Sequence, residues 1–361
     1  MQTSKTGNTE RLVHDPEGLN TASWPLRSFV TPTNHFFTRS HAAVPHIDAA
    51  SYTLRVGGLV AKPQTLTLDA LSRLPRREVA ATLVCAGMRR SEFLTLGPLP
   101  GELPWGPEPA STANWGGVSL RDALALCDVE PGARFVEFVG LDDVERHGHR
   151  FGFGGSVDLR KAMDADVLLA MTLNGAPLPP AHGYPVRAIV PGWIGARSVK
   201  WLGAINVLDR PSQNYFQTKA YRVQQWRNPE DARDVTAGAP LTEVPLNSVF
   251  TEPLEGATVD AGEVRIQGWA LGRGGSAIES VEFSMDEGET WRDATLRREP
   301  RASRWTWTFW NAMVTLDPGE HTLIVRATDA SGAAQPERVE ATWNVKGYVN
   351  NAWHRVTVRA E

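Results

Sequence analysis

The residues best suited to carry out chemistry lie in the segment 85–92, in which Cys85 is followed by Arg89 and Arg90. Guanidinium groups beside a thiol favour the thiolate, so the pKa of Cys85 is expected to be lowered. A thiolate binds soft metals or attacks electrophiles, and arginines beside it suit a small oxyanion because the planar guanidinium makes paired hydrogen bonds. A buried structural cysteine next to surface arginines explains the same residues equally well at this stage.

Three further segments place histidine and basic residues at predicted loop tips, namely 39–41, 182–187 and 195–200. Taken singly, each is most simply a solvated or capping group, whereas together they could form an anion pocket. The chain has no HExxH or paired CxxC spacing, so an all-protein zinc site is poorly supported. It also lacks the GxGxxG, GxxxxGK[ST] and GxSxG motifs, which excludes the usual dinucleotide, P-loop and serine-hydrolase sites.

The elements that position these residues are predicted to be mainly short strands, because 32 glycines and 25 prolines leave little room for long helices. Cys85 follows one of the strands directly and therefore lies where a strand breaks into a loop. The stretch 118–127 has helical spacing behind Ser119 as N-cap, which places Cys127 near a helix end in a packing role. The strands predicted in this half of the chain are Ser51–Val56, Val79–Val84, Arg134–Gly140 and Val186–Val190.

The last third of the chain has the pattern of a β-sandwich. Residues 213–245 are polar and proline-rich, which indicates a connection and a domain boundary near residue 240. Beyond it, alternating segments recur between turns and predict an immunoglobulin-like sandwich of about 110 residues, stabilised by packed aromatics rather than a disulfide. Trp291, Trp305, Trp307 and Trp310 are expected to be core or dimer contacts rather than a carbohydrate platform. The predicted strands are Glu263–Trp269, Ile278–Met285, Trp305–Trp310, His321–Ala327 and Ala341–Val345.

Composition excludes several classes of protein. The 361 residues carry a net charge of −4, so no global basic field favours nucleic acid. No stretch approaches the roughly 18 apolar residues of a membrane span. Residues 1–10 contain no apolar segment, so a secretory signal is not predicted and the cytoplasm is the expected location; a periplasmic location is the alternative if an export signal has been removed.

The chain resembles the sulfite oxidase family in several segments between residues 25 and 358, which occur in the same order as in that family. The most specific are the Cys-Ala-Gly-x-Arg-Arg segment at 85–90 and the His-Gly-[Phe/Tyr]-Pro-Val-Arg segment at 182–187. The resemblance implies an α+β fold in three parts: an N-terminal extension over 1–24, a sulfite-oxidase-type molybdopterin-binding domain over 25–240, and an immunoglobulin-like dimerisation domain over 241–361. The matching segments are Phe36–His41, Thr82–Glu92, Leu103–Trp105, Trp115–Asp122, Gly140–Asp142, His182–Arg187, Val190–Leu202 and Trp343–Val356.

The resemblance also implies a cofactor and the residues that hold it. Cys85 occupies the position that ligates molybdenum in this family, together with the two dithiolene sulfurs of the pterin. Thiolate donors suit such a metal, and the cofactor carries out the redox step while the protein orients it. Arg187 and Lys200 suit the pterin phosphate, and Asp142 can accept from pterin nitrogens. The implied cofactor-binding residues are Phe37, Arg39, His41, Asp142, His182, Arg187, Ser198, Val199 and Lys200.

The substrate pocket implied by the resemblance departs from the family pattern at one position. Lys346 stands where animal and plant sulfite oxidases have arginine and assimilatory nitrate reductases have methionine, so the positive charge is kept and the bidentate fork is lost. Met88 and Ser40 stand where asparagine is usual, which alters the surroundings of the metal. The residues implied to act on the substrate are Arg39, Arg90, Trp105, Tyr221 and Lys346.

The expected activity is oxidation of sulfite to sulfate by oxygen-atom transfer, with cationic side chains neutralising the oxyanion. No haem-binding domain precedes residue 25, so the electrons are expected to go to a separate acceptor such as a cytochrome c, and a homodimer is implied. One alternative is a reductase of nitrate or of a sulfoxide within the same family. A second alternative is a noncatalytic binding protein that has lost the metal.

Overall fold

A computed structural model describes residues 9–223 and 238–361, which omits part of the predicted N-terminal extension and part of the connection at 213–245. The three α-helices of these residues are short: α1 (Leu68–Ser72), α2 (Leu120–Ala125) and α3 (Leu159–Ala162). No helix in the described ranges has the length and hydrophobicity to cross a membrane. Single helical turns are formed by Thr33–His35, Arg90–Thr95, Pro180–His182, Gly195–Arg197, Phe216–Ala220, Arg273–Gly275 and Val339–Thr342.

Among the described residues, sixteen strands precede the sandwich. In chain order they are β1 (Glu10–Val13), β2 (Thr21–Trp24), β3 (Thr53–Gly58), β4 (Gln64–Thr67), β5 (Arg76–Val84), β6 (Ala110–Ser119), β7 (Phe135–Gly140), β8 (Val144–Arg146), β9 (His149–Phe151), β10 (Gly154–Asp158), β11 (Leu168–Leu173), β12 (Ala176–Pro177), β13 (Arg187–Ile189), β14 (Leu202–Leu208), β15 (Arg222–Val223) and β16 (Ala239–Pro240).

Two sheets of these strands, one mixed and one antiparallel, form the first domain. One sheet has the order β10-β7-β14-β3-β4, in which β14 and β3 run parallel and the other neighbours are antiparallel. The second has the order β12-β11-β6-β5, with β13 also paired to β11. Both sheets and α2 contribute to one buried core. The strands either alternate apolar and polar residues or are apolar throughout, so the faces that meet are apolar. Its residues include Leu54, Val118, Leu120, Phe138, Leu169 and Ile205.

The predicted elements of this domain are confirmed with small shifts of their bounds. The four predicted strands correspond to β3, β5, β7 and β13. The predicted helix is shorter than its pattern, because Val118 and Ser119 complete β6 before α2 begins. Ser119 takes the N-cap position, yet its hydroxyl makes no capping hydrogen bond. Cys127 is fully buried behind α2, as expected of a packing residue.

The second domain is a two-sheet sandwich, which confirms the predicted α+β architecture with a β-rich C-terminal part. One sheet has the order β17-β19-β23-β22 and the other β18-β25-β24-β20-β21, and their inner faces share one apolar core. The strands are β17 (Asn247–Glu252), β18 (Thr258–Val259), β19 (Gly262–Leu271), β20 (Ile278–Ser284), β21 (Arg292–Asp293), β22 (Thr295–Arg297), β23 (Thr308–Leu316), β24 (Gly319–Asp329) and β25 (His354–Ala360).

Two predicted strands of the sandwich are wrong. Ala341–Val345 overlaps a single helical turn, Val339–Thr342, and the final strand β25 begins only at His354. The strand expected at Trp305–Trp310 begins at Thr308 instead, because the preceding tryptophans turn toward the first domain. Trp305 Nε1 donates to Asp166 and Trp307 Nε1 donates to the Phe29 carbonyl. All three tryptophans of this segment are buried, as predicted for core or contact residues.

A buried arginine cluster fixes the sandwich to the first domain. Arg89 is 0% exposed and pairs with Glu92 at 2.7 Å. Its guanidinium also donates to Asn247 Oδ1 and to the carbonyls of Ala352 and Trp353, all in the second domain. Arg89 has a φ of 62°, a left-handed conformation that turns the chain immediately after the Cys85 segment. We call this cluster the interdomain clamp.

Candidate functional site

Cys85 lies at the end of a buried strand, as the sequence predicts. Strand β5 ends at Val84, and Cys85 N donates to the Pro109 carbonyl while Met88 N donates back to the Cys85 carbonyl. These bonds start a tight turn that leads from Cys85 into the segment carrying Arg89 and Arg90. Gly87 is required within that turn, because a Cβ there would lie 2.7 Å from the Arg90 guanidinium. The half-buried Cys85 side chain lines a cavity, so it contacts this enclosed space rather than bulk solvent.

The expected lowering of the Cys85 pKa is wrong. Burial raises the pKa of this thiol, and although Arg39 and Arg90 act in the opposite direction, desolvation is the larger effect. A metal would therefore have to displace the thiol proton, which is the usual coupling between metal binding and deprotonation. Within residues 9–223 and 238–361, no group of three or more histidine, cysteine or acidic side chains is arranged to hold a metal by itself.

The cavity against Cys85, which we call the inner cavity, measures about 70 Å³ and contains all the predicted cofactor-binding residues in its wall. Its lining residues come from separate segments of the first domain, namely 36–41, 83–86, 142, 153, 182–187, 195–201 and 221. All nine predicted cofactor-binding residues line it, together with Cys85 and Tyr221: Phe37, Arg39, His41, Asp142, His182, Arg187, Ser198, Val199 and Lys200.

Of the three cations that line the inner cavity, Arg187 is buried and Arg39 and Lys200 are half-buried. No carboxylate in the described part of the chain lies within 4.0 Å of a nitrogen of Arg39, Arg187 or Lys200. Arg187 donates to the carbonyls of His182 and Ser198, while its Nε is buried with no hydrogen-bond partner. Burial lowers the pKa of Arg187 to about 9 and lowers the pKa of Lys200 well below its usual value. An anionic group bound here would compensate these charges.

The other predicted cofactor residues supply polar groups around these cations. Burial, then Arg187 and Lys200, lowers the pKa of His182 to about 3, so this imidazole is neutral. Asp142 accepts from Phe153 N at 2.9 Å, and burial raises the pKa of its carboxyl. Ser198 Oγ accepts from Val190 N, so this segment is held rigidly against β13.

Tyr221 and His41 form a hydrogen-bonded pair in the wall of the inner cavity. Tyr221 Oη and His41 Nε2 are 2.9 Å apart. Burial raises the pKa of Tyr221 to about 12, and burial followed by the charge of Arg39 lowers the pKa of His41 well below 6.5. Both side chains are therefore uncharged near neutral pH. The His41 ring also stacks on Phe153, with centroids 5.3 Å apart, which fixes its orientation.

A second cavity of about 410 Å³, which we call the outer cavity, opens beside the first. Arg39 and His41 line both cavities, so the two are adjacent. Lys346, predicted to bind the substrate, lies in the outer cavity and contributes from the second domain. Its Nζ is 3.1 Å from Glu102 Oε1.

Arg90 and Trp105 do not line either cavity, which differs from their predicted place on the pocket wall. Arg90 is 3% exposed and lies behind the wall, where its guanidinium stacks over the Tyr348 ring at 5.1 Å. Trp105 is fully buried, and its ring contacts His14 with centroids 4.1 Å apart. The turn after Cys85 explains both positions, because Arg89 N and Ser91 N donate to the carbonyls of Gly106 and Trp105 and draw the two segments together.

Two residues of the site were missed by sequence reasoning. Glu102 lines the outer cavity and contacts both Arg90 and Lys346. Tyr348 stacks on Tyr221 with ring centroids 5.4 Å apart. Neither has a motif or a periodic pattern; the available signal was that each lies within three residues of a predicted substrate residue, Trp105 or Lys346.

A thiol that shares a cavity with three cations lacking carboxylate partners in the described residues fits a protein that holds an anionic, thiolate-ligated cofactor, and comparison with known proteins agrees. The family model "Oxidoreductase molybdopterin binding domain" matches residues 41–216, and "Mo-co oxidoreductase dimerisation domain" matches residues 239–361. The chain is 38% identical to the sulfite oxidase of Gallus gallus over 91% of this chain and 72% of that protein. The chain belongs to the sulfite oxidase family.

Further similarities extend this assignment to the whole described fold. The chain is 40% identical to the mitochondrial sulfite oxidase of Mus musculus over 92% of its length, and it spans 62% of the length of that relative. The crystal structure of the sulfane dehydrogenase SoxCD from Paracoccus pantotrophus superposes with a TM-score of 0.78 at 26% identity, covering 97% of this chain and 88% of that one.

The residues present fit a molybdenum cofactor. The sulfur of Cys85 is the kind of soft donor that such a metal takes, and it faces the cavity. The orphaned Nε of Arg187 and the partly satisfied Lys200 supply donors for a phosphate on the same cavity wall. This chain therefore contains a molybdopterin-binding domain whose own side chains match the charge and the ligand chemistry of that group.

Proposed function

We propose that the protein is an enzyme that oxidises sulfite to sulfate with a molybdenum cofactor held by Cys85. The observation that carries the proposal is the placement of this thiol in one cavity with Arg39, Arg187 and Lys200, three cations without carboxylate partners in the described residues. Family membership supports the same reaction. Sulfite and water give sulfate, two protons and two electrons, so the site has to bind an oxyanion and release protons.

The cofactor, when bound, supplies two-electron oxygen-atom transfer, and the residues of the inner cavity hold it. Cys85 is the protein ligand to the metal. Arg187 and Lys200 bind the phosphate, since Arg187 Nε has no hydrogen-bond partner and neither side chain has a carboxylate within 4.0 Å among the described residues. Asp142 accepts from pterin nitrogens. Its buried carboxyl has the capacity to do so because it accepts one backbone hydrogen bond, from Phe153 N, and its other acceptor positions remain.

Arg39 is the side chain best placed to bind the substrate oxyanion. Its NH1 donates to Asn20 Oδ1 and to the Ser40 carbonyl, which fixes the side chain, and it lines both cavities. The Tyr221 and His41 pair connects the inner cavity to the outer one by a hydrogen bond between two neutral groups. Such a pair can pass a proton outward without a buried charge, which matches the protons that the reaction releases.

The two electrons pass to a separate acceptor, such as a cytochrome c, and the second domain forms a homodimer. The match of residues 239–361 to a dimerisation domain supports the homodimer. Size-exclusion chromatography with light scattering tests this: a mass near twice 39.6 kDa is expected, and a monomer at micromolar concentration would contradict it.

The decisive assay compares two directions of chemistry on protein purified from a host that makes the cofactor. Sulfite with an artificial acceptor such as ferricyanide is expected to give turnover and stoichiometric sulfate. Nitrate or a sulfoxide with a reduced viologen dye is expected to give far less. Turnover only with the reduced dye would replace this proposal with the family's reductase chemistry.

Metal analysis of two cysteine variants tests the site itself. Cys85→Ser is expected to lose bound molybdenum and all activity, because a hydroxyl is a poor ligand for this metal. Cys127→Ala is the matched control, since that buried thiol lies behind α2 and should leave the metal content unchanged. Full molybdenum occupancy in Cys85→Ser would show that the metal is held elsewhere, and a metal-free wild type would favour a noncatalytic protein.

A further inference from the structure

The carboxylate of Glu102 occupies the cationic side of the outer cavity. Its Oε2 is 3.1 Å from Arg90 NH2 and its Oε1 is 3.1 Å from Lys346 Nζ. The side chain is 14% exposed, between a 4% exposed arginine and a 30% exposed lysine. One acidic group therefore bridges two cations that come from different domains.

This bridge changes what the two cations can offer to a small anion. Every nitrogen of the Arg90 guanidinium already donates to a protein oxygen: Nε to the carbonyls of Lys346 and Gly347, NH1 to that of Leu103, and NH2 to Glu102. Lys346 is half-exposed but paired. Arg39 differs: it lines the outer cavity together with Glu102, yet no carboxylate of the described residues lies within 4.0 Å of its guanidinium.

The negative charge of Glu102 is also felt inside the site. Burial raises the pKa of Tyr348 well above 10, and Glu102 is the next cause of that rise. Tyr348 in turn stacks on Tyr221, which lines the inner cavity. An anion held by Arg39 thus lies in the field of a fixed carboxylate, and the repulsion grows in proportion to the charge on that anion.

We propose that Glu102 is a specificity-determining residue that makes the site discriminate against dianions. It competes with a bound oxyanion for Lys346, which lines the outer cavity, and repels a doubly charged anion twice as strongly as a singly charged one. Sulfate is a full dianion near neutral pH, whereas sulfite is partly protonated. This inference rests on the proposed function: the carboxylate weakens binding of the product more than binding of the substrate and so favours product release.

The test measures sulfate binding to the holoenzyme by isothermal titration calorimetry, which does not depend on turnover. Glu102→Gln removes the charge in nearly the same shape and is expected to bind sulfate at least about tenfold more tightly, with a smaller gain for the monoanion nitrate. Glu102→Asp keeps the charge and should retain the weak sulfate binding of the wild type. Glu337→Gln, an exposed residue of the second domain, is the control for a change in net charge.

The outcomes separate this inference from the proposed function. Tighter sulfate binding in Glu102→Gln together with an absence of sulfite turnover in the wild type would support the inference and overturn the function. Unchanged or weaker sulfate binding in Glu102→Gln, or equal gains for sulfate and nitrate, would overturn the inference while the activity stands. Glu102→Ala removes the same charge and is measured in the same way if the glutamine variant does not fold.

Discussion

The interdomain clamp and the inner cavity both bury arginine, and they do so in opposite ways. At the clamp, Arg89 has a carboxylate partner and donates to an amide oxygen and two carbonyls. In the cavity, Arg187 has two carbonyl partners, no carboxylate and one orphaned nitrogen. The contrast teaches how to tell the roles apart: a buried cation whose partners are complete stabilises the fold, and one whose partners are incomplete is available to a ligand.

The largest effect is expected from removing the clamp. Arg89→Met leaves Glu92 without its guanidinium partner and the buried Asn247 Oδ1 without a donor, and it removes hydrogen bonds to the Ala352 and Trp353 carbonyls. The free energy of unfolding should therefore fall by about 3–5 kcal/mol. Urea denaturation followed by tryptophan fluorescence measures it. Arg73→Met, which removes an exposed pair with Asp69, should change stability by less than about 0.5 kcal/mol. Equal effects of the two variants would remove the distinction on which the comparison is based.

The corresponding change in the cavity is expected to affect the cofactor more than the fold. Arg187→Met should weaken cofactor retention by about 2 kcal/mol or more, roughly 30-fold, because a buried charge partner of the phosphate is lost. In cofactor-free protein its cost in unfolding free energy should be smaller than that of Arg89→Met, since removal of an uncompensated charge offsets two lost hydrogen bonds. Molybdopterin content after gel filtration gives the first quantity and denaturation the second; normal retention would contradict the assignment.

A pH dependence should appear in both regions. Burial lowers the pKa of His182 to about 3, and burial followed by Arg89 lowers the pKa of His354 well below 6.5. The unfolded chain therefore binds more protons below pH 6.5, so stability is complete above that value and falls as the pH drops toward the folded pKa values. Each histidine contributes up to about 1.4 kcal/mol per pH unit in this window.

Unfolding experiments between pH 7 and pH 4.5 measure this slope. His354→Gln keeps an acceptor for Phe250 N, which donates to His354 Nδ1 at 3.1 Å, and should reduce the slope by one proton. A slope unchanged in that variant would mean that His354 is not kept neutral by its surroundings.

The smallest effect is expected at a more exposed contact between the domains. Arg304 and Lys161 both lie over the Trp305 ring, with cation to centroid distances of 4.0 and 4.1 Å. Arg304→Ala should cost about 0.5–1 kcal/mol, because this guanidinium is half-exposed and solvent screens the interaction. The thermal unfolding midpoint measures it, and a loss as large as that of Arg89→Met would show that exposure does not separate the two contacts.

Motifs and alternation patterns predicted the features of the site that depend on neighbouring residues in the sequence. The strand before Cys85 and the segments with histidine and basic residues at 39–41 and 182–187 identified residues of the inner cavity. They did so because the end of a strand determines where the following loop lies. Alternation failed at Ala341–Val345, since apolar residues there contact the first domain instead of a sheet partner. The pKa of Cys85 also escaped prediction, because the desolvation of a thiol depends on tertiary burial, which neighbouring residues in sequence do not encode.

Lys346 and Tyr348 line the outer cavity from the second domain, whereas Cys85 and the two cations proposed to bind the phosphate, Arg187 and Lys200, belong to the first. Among the described residues, the second domain thus contributes side chains to the outer cavity and none to the inner cavity. If only the second domain detached, we expect the chain to retain its pterin and to lose its selectivity among anions. Cofactor retention and substrate selection would then be affected by different mutations.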